Sequence, residues 1–190
     1  MKHHLRQAFL LLFSLILLTG FFYPLVITCI SQVIFPRQAN GSLIMVNGRL
    51  MGSELIGQPF EDSRYFRARP SATAPFPYNS SASTGSNWGP SNAEFIKIVQ
   101  ERIDLLHKAD PQNRIPIPVD LVTSSGSGLD PHISPAAALY QVPRVSRARG
   151  FDEQSVRRLV LSHIRGRAFG VLGEPVVHVL TLNMALDNLR

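Results

Sequence analysis

Cysteine is nearly absent: the 190 residues contain one, Cys29. No internal disulfide can form, so any folded domain has to be held by an ordinary core. Charge is missing from one long segment, because the thirty residues from Gln7 to Pro36 include no Asp, Glu, Lys or Arg. Lysine is missing from Ala109 to the C-terminus. That excludes a phosphate-binding loop of the G-x-x-x-x-G-K-[ST] type, in which the lysine reaches the phosphates. The fingerprint G-x-G-x-x-G fails as well, since Pro131 occupies the third glycine position after Gly126 and Gly128. No H-x-x-x-H or C-x-x-C pair accompanies Asp130 and His132, which leaves a metal site short of its ligands. Ser127 has no G-x-S-x-G elbow to present it as a nucleophile. Internal repeats are lacking too.

What fills the uncharged segment is apolar. "AFLLLFSLILLTGFFYPLVITCISQVIF", residues 8–35, exceeds the roughly 20 residues that cross a bilayer as a helix. Backbone groups in lipid must pair within the segment, so a lone span is helical. A cleaved signal peptide has an apolar region of about 7–15 residues ending in small side chains. Here Phe21-Phe22-Tyr23-Pro24 stands where that site would fall, and Thr28 before Cys29 does not suit lipoprotein processing. The pattern predicts an uncleaved anchor.

Lys2, Arg6 and two histidines precede the span without an acid, whereas Arg37 and Arg49 follow it with Glu54 close behind. The positive-inside bias then predicts a cytoplasmic tail over residues 1–7, a membrane helix over 8–35 and an extracytoplasmic domain over 36–190. The net charge of +6 suits an acidic lipid surface or an acidic partner. A domain tethered outside a membrane has no call for nucleic acid.

Along the exported part, Asn47-Gly48 between apolar runs is a hairpin signal, with Leu43, Met45, Leu50 and Leu55 as its expected buried face. Residues 64–92 hold four prolines and eight serines or threonines, the composition of a long loop. Tyr65, Phe66, Phe76, Tyr78 and Trp88 recur through it. Such aromatics have no helical or strand period, so they are expected to lie against something, either a partner, for which they are the candidate interface residues, or their own domain. Ser91 or Asn92 caps a predicted helix to about Lys108, with Phe95, Ile98, Val99, Arg102, Leu105 and Leu106 as its stripe. Residues 117–124 read as a strand, and Ser134-Pro135 opens a second helix that Pro143 should kink or end. Asp152 caps a third helix, with Val156, Leu159, Val160, His163 and Ile164 as its stripe and Gly173 as its close. Residues 175–183 read as a strand before a short terminal helix. The fold class is α/β: a single N-terminal transmembrane helix followed by one α/β domain.

The most unusual stretch is "SSGSGLDPHISPAAALYQVPRV", residues 124–145. Gly126, Gly128, Asp130, His132 and Ser134 are the candidate cofactor-binding residues, because backbone N–H groups at a helix N-terminus suit an anion. The same residues also make a plain turn, in which Asp130 accepts backbone N–H bonds and Ser134 caps the helix. Catalytic residues and metal ligands are expected to be none.

That stretch, with "FRARPSA", "YNSSASTGSNWGPSN", "GEPVVHVLTLNMAL" and the single span, resembles the C subunit of the Kdp-type potassium-transporting ATPases, the KdpC family. The resemblance runs end to end. Ser125 and Trp88 stand where the family often has Ala and Leu, and His178 where it often has Asn. It implies a non-catalytic subunit of a bacterial inner-membrane potassium uptake complex. Its partners would be a channel-like potassium-binding subunit, a P-type ATPase subunit and a small stabilising subunit. The family is described as a catalytic chaperone that raises the ATP affinity of the ATPase subunit, so ATP would enter through that partner. The alternative is a membrane-anchored nucleotide- or anion-binding module.

Overall fold

A computed structural model describes residues 2–189, which fall into two compact units, one ending at Met51 and the other beginning at Gly52. In the first, helix α1 (Lys2–Leu17) runs into a π-turn (Leu18–Phe22) and on into α2 (Tyr23–Ile34). The π-turn has a local cause. Pro24 has no N–H and its ring crowds the carbonyl of Gly20, so the ladder widens there by one residue. Tyr23 N–H accordingly donates to Leu18 O, five residues back. Helical geometry begins at Lys2, so Lys2 and Arg6 sit in the first turns of the same rod. Lys2–Ile34 is the one helix among the described residues long and apolar enough to span a bilayer.

Helix α3 (Pro36–Ala39) is a single turn, tied back by the Asn40 amide, which donates to Gln32 Oε1 at 3.0 Å. Strands β1 (Leu43–Val46) and β2 (Arg49–Ser53) then form the expected hairpin. Asn47 and Gly48 both have positive φ, 50° and 75°, as a type I′ turn requires. Its expected buried face is not buried. Leu43, Met45 and Leu50 are about half exposed, as is Leu55 beyond the hairpin, because two strands alone have no second layer to cover them.

The second unit is built around helix α5 (Pro135–Arg149), which buries Ala137, Ala138, Tyr140, Val142 and Val145. Helices α6 (Glu153–Ser162) and α7 (Val179–Asp187) complete the core with Val156, Val160, Leu182 and Leu186. Helix α4 (Ala93–Ala109) adds Leu106 and half-buried Val99 and Ile103. Leu105, expected in its stripe, is exposed. A small antiparallel sheet has the order β3 (His132–Ile133), β5 (Val176–His178), β4 (Ile164–Arg165), with His132 opposite His178 and Ile164 opposite Val177.

Three N-caps stand where the sequence places them: Asn92, Ser134 and Asp152 accept from the N–H of Phe95, Ala137 and Ser155. Several boundaries differ. Residues 117–124 are not a strand; they hold a 3₁₀ turn, Val119–Leu121, that points Leu121 into the core and Asp120 toward α5. Pro143 does not end α5, which continues to Arg149 and closes at Gly150 in the left-handed region. Burial of the flanking Val142, Arg144 and Val145 outweighs the cost of one forfeited bond, about 3 kcal/mol in an isolated helix. Helix α6 stops at Ser162, not at Gly173, because Ile164–Arg165 leave it to pair with β5. Strand β5 ends at His178, where the imidazole caps α7 by accepting the Thr181 N–H at 3.2 Å.

Candidate functional site

The segment 63–71 crosses α5 and α7 and is gripped by side chains. Asn183, 2% exposed, accepts the Phe66 N–H and donates to the Phe66 carbonyl, both at 2.9 Å. Gln141 repeats the pattern one residue on, accepting the Arg67 N–H at 2.8 Å and donating to its carbonyl at 3.1 Å. Two amide side chains thus stand in for a neighbouring strand and pair backbone that would otherwise be buried unsatisfied. The Arg144 guanidinium donates to Ser63 O at 2.5 Å, Tyr65 O at 3.0 Å and Gln141 Oε1 at 2.7 Å. Burial, with Arg67 nearby, lowers its pKa to about 10.

This clasp delivers Arg69, Ser71 and Tyr78 to the Gly-Ser stretch. Ser71 Oγ donates to Gly128 O at 2.7 Å and accepts the Tyr78 N–H at 2.9 Å. Ser83 Oγ donates to Ser127 O at 2.9 Å. Gly128 has φ +67°, and a Cβ there would lie 2.6 Å from both Thr73 Cγ2 and Thr84 O. A Cβ on Gly85 would lie 2.9 Å from Gly126 O. Gly85 and Gly128 therefore serve loop-on-loop packing, whereas Gly126 has open space at its own Cβ position.

Asp130 and Ser134 are equally engaged. Asp130 Oδ1 accepts the His132 N–H at 3.0 Å and sits 3.3 Å from His132 Nδ1, while Oδ2 takes Arg69 at 3.3 Å. Burial pushes the Asp130 carboxyl up, but the His132 hydrogen bonds and Arg69 outweigh it and leave its pKa below the ordinary value. At the start of α5, the Asp120 carboxylate already accepts the Ser134 N–H at 2.7 Å and its hydroxyl at 3.1 Å. The protein supplies its own anion to that helix end. Around Asp130, His132 and Ser134 the charged side chains are the carboxylates of Asp120, Asp130 and Glu174 and the guanidinium of Arg69, whose charge is already paired with Asp130. Among the described residues no group of three or more His, Cys, Asp and Glu is placed to share a metal ion.

Two guanidinium groups converge on Ser124. Arg69 donates to its carbonyl and Arg102 to its hydroxyl, both at 3.4 Å, and Arg102 also donates to Val122 O at 2.8 Å. Both line a groove of about 220 Å³ between α4 and residues 58–78.

The five aromatics are divided. Phe66 is fully buried and leaves the list of interface candidates, because the clasp turns its ring into the core. Tyr78 is half-buried; its hydroxyl donates to Arg69 O, and its ring fills the space beside Gly57. Burial pushes its pKa up to about 12. Tyr65 lies under Arg149, 4.6 Å from the ring centre. Phe76 is exposed, and Trp88 is 38% exposed against Phe95.

Residues 5–188 match the sequence model of a family described as "KdpC: K+-transporting ATPase, c chain". The chain belongs to the KdpC family. A relative from Sorangium cellulosum (strain So ce56), named "Potassium-transporting ATPase KdpC subunit", is 58% identical over the full length of both chains. Proteins of the same name from Methylococcus capsulatus and Methylibium petroleiphilum are each 57% identical, again over the whole of both chains. In this KdpC chain the clasp residues Gln141, Arg144 and Asn183 were not singled out by sequence pattern. Polar side chains at i and i+3 in an otherwise apolar helix, and one amide within "LTLNMAL", are the signal that marks them.

Proposed function

We propose that the chain is a non-catalytic subunit of an ATP-driven potassium uptake complex in the bacterial inner membrane. The observation that carries this is the full-length identity to proteins named potassium-transporting ATPase KdpC subunits. In this proposal α1 and α2 anchor the chain with its N-terminus in the cytoplasm, as the Lys2 and Arg6 charges favour. The domain lies outside the cytoplasm and meets a channel-like potassium-binding subunit. A P-type ATPase subunit supplies hydrolysis, and a small stabilising subunit completes the assembly. Phe76 and Trp88, with parts of Tyr65 and Tyr78, remain exposed for contact with the transport subunit.

An effect on ATP affinity then acts through subunit contact. Occupation of the α5 N-terminus by the Asp120 carboxylate and packing of Gly128 against Thr73 and Thr84 support this reading. Purification of the tagged full-length chain from membranes grown in low potassium tests the proposal. It should bring down larger membrane subunits together with potassium-stimulated ATPase activity. Recovery of the chain alone would overturn it.

A further inference from the structure

We propose that the groove between α4 and residues 58–78 docks an acidic segment of a partner protein, with Arg102 and Arg69 holding its carboxylate and Phe60 and Leu105 seating an apolar neighbour. The inference rests on the subunit reading above and adds the surface and the chemistry of the contact.

Arg102 carries most of the weight. Its hydrogen bonds go to neutral acceptors, Val122 O and Ser124 Oγ. Burial alone lowers its pKa. A partly desolvated guanidinium gains most from an anion that completes its fork. Arg69 shares its carboxylate, Asp130, with His132, and Arg67 donates from its guanidinium to a backbone carbonyl, Glu61 O, at 3.2 Å. The Nε atoms of Arg67 and Arg69 are buried without a partner. Arg67, Arg69 and Arg102 therefore line one groove against a single acidic residue there, Glu61, which leaves it net cationic.

The walls choose among anions. Phe60 is half-buried on one side, and Leu105, 60% exposed, stands at the rim of α4. A free inorganic anion would leave these apolar walls wet. At about 220 Å³ the groove is smaller than the roughly 300–1,000 Å³ typical of small-molecule sites. One acidic and one apolar side chain from an extended segment fit both its size and its charge.

The test places the photo-crosslinker p-benzoylphenylalanine at Leu105 in the full-length tagged chain within its membrane complex. Irradiation should join it to a partner-protein peptide carrying Asp or Glu beside an apolar residue. Arg102→Glu should reduce that product at least about tenfold, and Arg102→Lys less, since a lost charge pair acts mainly on dissociation. Thermal unfolding of each variant separates docking from folding. Should Arg102→Glu unfold the chain, Arg67→Glu takes its place, because Arg67's guanidinium donates to a single loop carbonyl. Crosslinking to lipid, to a segment without an acid, or to nothing while the subunits still co-purify would overturn the docking site and leave the subunit reading intact. Loss of the product on adding ATP, but not on adding an acidic peptide, would also overturn it. Absence of any co-purifying subunit would remove both.

Discussion

Replacing Asn183 by leucine asks whether the clasp holds the second unit together. Leucine matches asparagine in side-chain branching and favours helix, but it is the bulkier residue, so at this buried position some overpacking adds to the cost. What is lost is the pair of 2.9 Å hydrogen bonds to the N–H and carbonyl of Phe66. Both groups stay buried, because the Phe66 ring remains in the core. Each unsatisfied group costs about 1–3 kcal/mol, so the variant should lose roughly 2–6 kcal/mol. For a unit of this size a loss of 1 kcal/mol lowers Tm by about 3–5 °C, which sets the expected drop at roughly 6 °C or more. Far-UV circular dichroism of the detergent-solubilised full chain reads it. Asn188→Leu, at the exposed C-cap just past the end of α7, loses one exposed hydrogen bond to Met184 O and should cost no more than about 1 kcal/mol. If Asn183→Leu melts with the wild-type chain, the amide clasp does not hold segment 63–71.

Gly128→Ala should destabilise by about 2 kcal/mol or more through overpacking and left-handed strain, whereas Gly126→Ala, with open space at its Cβ, should be neutral; equal effects in a melting assay would refute the loop-packing role. His178 has a lowered pKa, chiefly from burial, opposed by the Glu54 carbonyl. Below about pH 6.5 the unfolded chain takes up a proton that the folded one resists, so this contribution to stability, present above that pH, is lost as pH falls. His178→Asn, which keeps an N-cap for α7, should flatten the fall in Tm between pH 7.5 and 5.5; an unchanged slope would refute the assignment. Tyr78→Ala should lower Tm by several degrees and Trp88→Ala hardly at all, the reverse order placing Trp88 in the core. A reporter fused after Leu189 should be active only outside the cytoplasm, and cytoplasmic activity would reverse the proposed topology.

Local chemistry was legible wherever one residue decides a backbone conformation. The Asn47-Gly48 turn and the caps at Asn92, Ser134 and Asp152 each follow from a side chain and its own neighbours. So does the apolar span, although the π-turn over Leu18–Phe22 needs the ladder itself. The illegible parts depend on distant residues. Val179 to Asn183 has strand-like composition, yet burial of Val179, Leu180, Leu182 and Leu186 sets it as a helix once His178 caps it. Residues 117–124 turn because Asp120 is needed at the start of α5, fourteen positions away from Ser134. The role of Gln141, Arg144 and Asn183 is set by a segment more than seventy residues distant. That Asp120 and Asp130 line the same cleft likewise appears only in the folded chain.

ATP titration of potassium-stimulated hydrolysis, in membranes with and without this chain, tests the central claim most directly. The proposed function predicts no hydrolysis by the chain alone, and loss of activity or a raised KM for ATP when it is missing from the complex. Hydrolysis by the purified chain, or an unchanged titration in its absence, would contradict a non-catalytic subunit on which the ATPase depends.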